Sequence, residues 1–427
     1  MNNSDFKPIG ELKKPSVLIL LLCGIIFRIY LINLVPQPFV HDQLQYHRFA
    51  AGIAEKGLFA HTYRTYGYPI LIAPLYFIFG KDATTPWKIM QSVMDSTTGF
   101  LVYIIALKIF RKRNVAFAAF LIYLFNPYTA SYSGVLLTEV ASIFFSTLAL
   151  FLLLLFLEKP SPLIMAATIF LFSFLTQIRP GFFYSAIIAG VFLTAYMNNK
   201  LKLIREKLLI YLIGLTALCL PFIYNIAGNL VYYKQFSIMT VDNFFIQQLY
   251  LSLYVDRWPV HPTENSSYPW QVGQIYGEFS FIPKNALERK AMAEKYKKLA
   301  MEEIKNNPGN YLVRSLRKMW YIWDKRALFY YAEPENKLIT VVLFWANRII
   351  LFFSFIGLVL FGVKNRINKT PSVFSIIIFL FALYLTLVHI LSVSEDRFSL
   401  PAYPFVFMYL AYFFWIIGQK FADLKKK

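Results

Sequence analysis

Residues 139–158 read "EVASIFFSTLALFLLLLFLE": a glutamate at each end and no charge between them. A helix needs about 20 such residues to cross the roughly 30 Å hydrocarbon core of a bilayer. The pattern recurs at 16–35, 87–110, 115–131, 137–157, 162–178, 181–197, 207–228, 338–362, 371–392 and 400–419. Lipid offers no hydrogen bonds to the backbone, so a spanning chain must be helical or a closed barrel. The alternating, roughly ten-residue segments of a barrel are absent. These runs predict an all-α polytopic membrane protein with roughly 10–12 transmembrane helices. Composition agrees: 15% of residues are charged, against about 25% in ordinary soluble domains.

The net charge of +20 is a matter of topology, not of nucleic acid, because the basic residues gather in short connections between apolar runs. They are Lys7, Lys13 and Lys14, "RKR" at 111–113, Lys159, "KLKLIREK" at 200–207, "KNRINK" at 364–369, and Lys425 to Lys427. A further apolar run, 66–80, contains two prolines and as a helix would cover only about 22 Å. If it does not cross, all of these basic groups fall on one side. The reading is therefore cytoplasmic N- and C-termini in a cell inner membrane, a retained signal-anchor at 16–35, and a re-entrant or interfacial 66–80. Cys23 and Cys219 both lie inside apolar runs, which supports neither a disulfide framework nor a thiolate metal site.

Three regions follow. Residues 1–228 form an N-terminal transmembrane module with a first external loop at 36–86, 229–337 an external segment, and 338–427 the C-terminal transmembrane helices. The external segment contains "ALERKAMAEKYKKLAMEEIKNNP" at 286–308, which predicts a soluble helix ended by Pro308. It is followed by "YLVRSLRKMWYIW" at 311–323, whose mixture of aromatic, apolar and basic residues suits a helix lying at the interface.

Ionisable residues beside hydrocarbon are costly and call for a reason. Arg28 and Asp95 sit at similar depths in their spans, which predicts a structural ion pair between two helices. Asp42 in "HDQLQYHRFA", Arg64, Glu139, Arg179 and Arg397 all fall on the external face. Singly, each has a bland reading: a carboxylate reaching water, a snorkelling arginine, or, for "SEDR" at 394–397, a solvated loop with a local ion pair. Together they suggest an active site at the outer boundary. Arginines there would bind an anionic phosphate headgroup, and a carboxylate would serve as general base.

At these residues the chain resembles the polytopic GT-C glycosyltransferases, in particular the branch containing protein O-mannosyltransferases and the lipid A aminoarabinose transferase. The resemblance runs in order through "FRIYLI", "HDQLQYHRFA", "YRTYGYPILIAPLYFIFG", "NPYTASYSGVLLTEVASIFF", "IRPGF", the segment from Ala286 to Trp320, and "DRFSLPAYPFVF". It implies transfer of a sugar from a polyprenyl-phosphate donor to a lipid, glycan or protein acceptor on the external face. It also implies Asp42 as the catalytic carboxylate and Glu139 as a second acidic group. Arg64, Arg179 and Arg397 would meet the carrier phosphate, with Tyr66, His41 and Tyr46 as further substrate-binding groups. Many relatives carry a second acidic residue where this chain has Gln43 after Asp42. No metal or other cofactor is therefore predicted, although some GT-C enzymes use a divalent ion. Expected partners are the lipid-linked donor, the acceptor and membrane lipids, with no nucleic acid. Two alternatives stay open at this point: a transporter or lipid-linked sugar flippase, and a polysaccharide polymerase or ligase.

Overall fold

A computed structural model describes residues 15–242, 244–258, 270–280, 285–332, 337–364 and 370–425. Lys7, Lys13, Lys14, residues 365–369 and the last two lysines, on which part of the charge argument rests, lie outside the described residues. The chain is all-α. In the membrane part the helices are α1 (Pro15–Leu34), α2 (Asp42–Lys56), α3 (Pro69–Phe79), α4 (Thr85–Phe110), α5 (Arg113–Leu124), α6 (Glu139–Glu158), α7 (Pro162–Ile178), α8 (Phe183–Asn198), α9 (Ile204–Cys219) and α10 (Ile223–Tyr233). Next come α11 (Phe244–Leu251), α12 (Trp270–Ser280), α13 (Ala286–Asn306) and α14 (Pro308–Tyr321), then α15 (Lys337–Lys364), α16 (Thr370–His389) and α17 (Tyr403–Leu424).

Eight helical stretches among the described residues are long and apolar enough to cross a membrane. Helix α3, at 11 residues, is about 17 Å long and too short to do so. The apolar run at 115–131 does not form one helix. It stops at Leu124, because Pro127 drives Asn126 out of helical geometry (φ −77°, ψ 134°). The Asn126 side chain then caps a new turn, accepting from the Thr129 amide at 3.0 Å.

The helix ends sort by charge. At one end Lys108 pairs with Glu158 at 2.7 Å, while Lys112 and Lys364 lie 5.6 and 5.8 Å from the Trp415 ring centroid. At the opposite ends of α4, α6 and α17 lie Asp42 and Glu139, each the first residue of a helix, with Arg179 and Arg397. An apolar core runs between, through Ile105, Phe120, Tyr123, Leu150 and Met408.

Over the site-bearing end lies a second layer, α11 to α14, with its own core of Tyr250, Leu251, Val272, Ile275, Tyr296 and Ala300. It is tied down at two places. Arg289 pairs with Asp242 at 2.5 Å, whose amide donates to Thr62 O in the first loop. Trp258 N donates to Ser394 O, and Ser394 N to Asp256 O, at 2.8 and 3.0 Å. Helix α14 is amphipathic. It buries Ser315 and Lys318 and exposes Leu312, Leu316 and Trp320, as a helix at an apolar boundary should.

Candidate functional site

Two carboxylates open helices. Asp42 is the first residue of α2 and Glu139 the first of α6, where the unpaired amides and dipole of the first turn favour negative charge. His41, just before α2, has φ 52° and ψ −121°, a conformation that favours glycine and is strained for a residue carrying a Cβ. Its ring stacks on Tyr331 at 6.0 Å. Gln43, at the position where the resemblance leads one to expect a second acid, is 2% exposed. It accepts from Leu136 N at 2.9 Å and donates to Pro38 O at 2.8 Å. It therefore fastens α2 to the turn that leads into Glu139, and its place is a joint, not an acidic pair.

Arg64 reaches Asp42 Oδ1 at 2.6 Å through Nη2. Its Nε donates to Gln45 Oε1 at 2.8 Å, and its Nη1 to the Tyr46 hydroxyl at 3.3 Å. The loop carrying it is held by Gly67, whose amide donates to Gln177 O at 2.9 Å. A Cβ at Gly67 would meet the Gln177 carbonyl carbon at 2.4 Å, so only glycine allows the approach. Gln177 lies in the last turn of α7, the helix that presents Arg179, and the two arginine-bearing segments are thus locked together through backbone.

Arg397 joins the carboxylates. Its Nη2 lies 3.3 Å from Asp42 Oδ2, its Nη1 3.4 Å from Glu139 Oε1, and its Nε donates to Glu395 Oε2. Arg179 Nη2 donates to the same Glu139 oxygen at 3.1 Å. Aromatic faces back the cations: the guanidinium carbon of Arg397 is 4.5 Å from the Tyr330 ring centroid and that of Arg179 4.7 Å from Phe398. Six charged residues, the farthest-separated contacting pair 355 positions apart in sequence, meet in one network.

Two buried atoms of that network have no hydrogen-bond partner among the described residues: Glu139 Oε2 and Arg179 Nη1. A buried, unsatisfied charged group costs more than a lost hydrogen bond and needs an explanation. Here an acceptor and a donor stand ready beside Asp42, itself 27% exposed in its side chain. Burial pushes the Asp42 carboxyl up, but Arg64 and Arg397 outweigh it and hold the group below the usual carboxylate range.

Several groups were not singled out from the sequence. Tyr330 donates to Glu395 Oε2 at 2.5 Å. Lys325, 2% exposed, donates to the Asp396 carbonyl and to Ser399 Oγ at 3.3 Å, and burial brings its ammonium down to about 8. The signal was "WDKRALFYY" at 323–331, charges set among aromatics directly after an amphipathic helix. Glu395, read as part of a solvated loop, is 9% exposed. Tyr66 has other business: its hydroxyl donates to Pro221 O at 2.7 Å and its ring stacks on Tyr224 at 4.4 Å.

Arg28 and Asp95 form their own contact, with Arg28 Nε donating to Asp95 Oδ2 at 2.7 Å and both side chains fully buried. Arg28 Nη1 donates to Gly24 O and Leu124 O, each at 2.9 Å, and the Tyr123 hydroxyl to Asp95 Oδ1 at 2.5 Å. Among the described residues no three His, Cys, Asp or Glu side chains gather in a metal-binding group.

No family model matches the chain, and no curated protein matches it. Solved structures do. One is the archaeal oligosaccharyltransferase AglB from Archaeoglobus fulgidus in complex with an inhibitory peptide and a dolichol-phosphate, with a TM-score of 0.52 and 14% identity over 97% of this chain. Another is the Archaeoglobus fulgidus oligosaccharyltransferase tethered to an acceptor peptide containing the NVT sequon, with a TM-score of 0.51 and 14% identity over 94% of this chain. This chain covers 52% and 49% of those chains, about half their length. The likeness is one of fold: the membrane architecture resembles that of these oligosaccharyltransferase structures.

Proposed function

We propose that the chain is a membrane glycosyltransferase that moves a sugar from a polyprenyl-phosphate carrier, of the undecaprenyl kind, to a cell-envelope acceptor. The acceptor is a lipid, glycan or protein on the external face of the inner membrane, and both termini are cytoplasmic. The observation that carries the reading is the Asp42–Arg397–Glu139–Arg179 network at the helix ends, with Glu139 Oε2 and Arg179 Nη1 unpartnered. The fold likeness supports it, since the AglB neighbour was solved with a dolichol-phosphate.

In this reading the acceptor's oxygen or nitrogen forms a bond to the anomeric carbon. The bond from that carbon to the phosphate oxygen breaks, and the polyprenyl phosphate leaves with the electron pair. Asp42 takes the acceptor's proton. A phosphate leaving group needs charge stabilisation more than a proton, which arginines held in place beforehand can provide. The resting state is self-inhibited in a useful sense. Two guanidiniums hold Asp42 below the usual carboxylate range, which makes it a weak base. A phosphate that takes over Arg64 or Arg397 releases Asp42, and its proton affinity rises as the donor binds.

The test is transfer in proteoliposomes from a polyprenyl-phosphate sugar to added envelope acceptors, comparing wild type with Asp42→Asn. Carrier movement without transfer would sink the enzyme reading and favour a flippase. A folded Asp42→Asn variant with wild-type transfer would sink Asp42 as the base.

A further inference from the structure

Arg397 is the second residue of a 3-10 turn, Asp396–Ala402. Its guanidinium faces Asp42 and Glu139, so the placing of that turn sets the distances in the network. The end of α14 and the loop after it grip the turn. Ser394 Oγ donates to Lys318 O at 3.3 Å, Ser399 Oγ to Ile322 O at 2.6 Å, and Tyr330 to Glu395 Oε2 at 2.5 Å. Lys325 adds a charge to this grip. Its ammonium donates to the Asp396 carbonyl and to Ser399 Oγ at 3.3 Å. Those two oxygens flank Arg397 in sequence and are joined to each other at 3.0 Å. The lysine thus staples the turn across Arg397.

A buried ammonium is a costly way to hold a loop. Lys325 is 2% exposed, with its Nζ 5.2 Å from the Tyr403 ring centroid. Neutral donors such as Ser399 and Tyr330 hold the same segment without that cost. What the charge adds is strength, since charge-assisted hydrogen bonds are roughly twice as strong as neutral ones. It also adds a field, attracting Asp396 beside it and Glu139 at the start of α6, and repelling Arg179 at the end of α7. Burial is the largest influence on the group. With Arg179 it outweighs Asp396, Glu139 and the neighbouring Asp324, and brings the ammonium down to about 8. Lys325 therefore loses its proton in a range where the guanidiniums around it keep theirs.

We propose that Lys325 is a positioning residue for the carrier phosphate: charged, it fixes the turn that aims Arg397, and on losing its proton it lets that aim slacken. The inference rests on the reading of the Asp42 network as the place where the donor phosphate binds. A phosphate that draws Arg397 off Asp42 pulls on the turn, and the staple across Asp396 O and Ser399 Oγ resists. Neutral Lys325 still donates, but without the charge that strengthens both bonds. Donor affinity is then full below about pH 8 and falls above it, while the arginines that meet the donor stay charged.

The test is binding of a radiolabelled undecaprenyl-phosphate sugar, a phosphodiester of constant charge, to the full chain in nanodiscs, with empty nanodiscs as background. The titration runs from about pH 6 to about pH 10, a range that brackets the lysine. Wild type should weaken by about tenfold as pH rises through about 8, the difference between a charge-assisted and a neutral hydrogen bond. Lys325→Arg, which keeps its proton, should hold the affinity seen at neutral pH across the range. Lys325→Met should bind about tenfold more weakly at every pH, with no alkaline limb. A lysine that merely supports the fold would give neither pattern. Lys318 is the other buried ammonium on this segment, also brought down to about 8, and donates to Ile390 O at 3.4 Å. Lys318→Met should therefore keep the wild-type limb. Wild-type affinity that is flat to about pH 10 overturns the proposal, a result that needs no variant to fold. So does wild-type affinity in Lys325→Met, or a limb that disappears with Lys318 and survives without Lys325. Donor binding that follows Lys325 in a chain that transfers no sugar would sink the glycosyltransferase reading and leave this one standing. Transfer with binding indifferent to Lys325 would do the reverse.

Discussion

Two of the molecule's buried sets of arginine and carboxylate are finished differently. In the membrane interior, Asp95 Oδ1 receives the Tyr123 hydroxyl and Oδ2 receives Arg28. Arg28 spends its Nη1 on two backbone carbonyls. Its Nη2 makes no well-aligned hydrogen bond, yet sits in ion-pair contact with Asp95 Oδ2 at 2.7 Å. Both side chains are fully buried. At the helix ends the Asp42 network is denser, yet leaves a carboxylate oxygen and a guanidinium nitrogen without hydrogen-bond partners and Asp42 partly open. A closed pair holds helices together. An unfinished one offers free groups to a ligand, which is the role the proposed function gives it.

The sharpest way to break this contrast is to neutralise each acid in turn. Asp42→Asn should cut transfer by about 10²–10⁴-fold, the usual worth of a positioned general base, while the melting temperature in detergent stays within a few degrees. Asp95→Asn should do the opposite. Removing one partner of a buried pair leaves the other uncompensated and costs about 3–5 kcal/mol, read as a large drop in thermal stability. Arg28→Met combined with Asp95→Leu should recover most of it, because apolar replacements of a buried pair are often neutral. If Asp95→Asn melts like wild type and loses transfer, the two sites have been assigned the wrong way round.

The unpartnered atoms give a finer test. Arg179→Gln removes a cation from the network but leaves Arg397 on Glu139. The loss expected is that of one charge-assisted hydrogen bond, about 1.5–3 kcal/mol, or some 10–100-fold. It should appear in the donor's KM or in kcat/KM for the donor, with the acceptor's KM little changed. Equal effects on both substrates would place Arg179 in support of the fold instead.

How far the sequence carries this can be judged residue by residue. The spans were legible because lipid forces one solution on an apolar run of sufficient length. The run at 115–131 misled because a proline outweighs apolarity where neighbouring helices can bury a broken backbone. Asp42 and Glu139 were legible as charges at the edge of hydrocarbon, where a carboxylate has few bland roles. Glu395 was not. Next to Asp396 and Arg397 it looks like a hydrated turn, but residues distant in sequence cover this loop, among them Tyr330 and Lys325, about seventy residues earlier. Tyr66 was drawn toward the site by its neighbours in sequence, yet folding sends its ring to Tyr224. Long-range burial is what a linear reading lacks.

The smallest expected effect is also the most discriminating, because it concerns Asp42 alone. Its carboxyl is pushed up by burial and pulled down further by Arg64 and Arg397, so that it ionises below the usual carboxylate range. A base with a depressed pKa is ready above that pKa and is lost as pH falls through it. Any stability it contributes is likewise present above the unfolded value of about 3.9 and fades below. The acid limb of kcat/KM, which reports the free enzyme, should therefore stay flat to below about pH 4. If a donor phosphate takes guanidiniums from Asp42, the acid limb of kcat, which reports the complex, should lie at higher pH. Arg64→Gln removes the largest of the downward pulls, and should move the kcat/KM limb up toward the kcat limb. Coincident limbs in wild type, unmoved by Arg64→Gln, would mean that the arginines hold Asp42 for good, making the network a second structural pair like the one at Asp95.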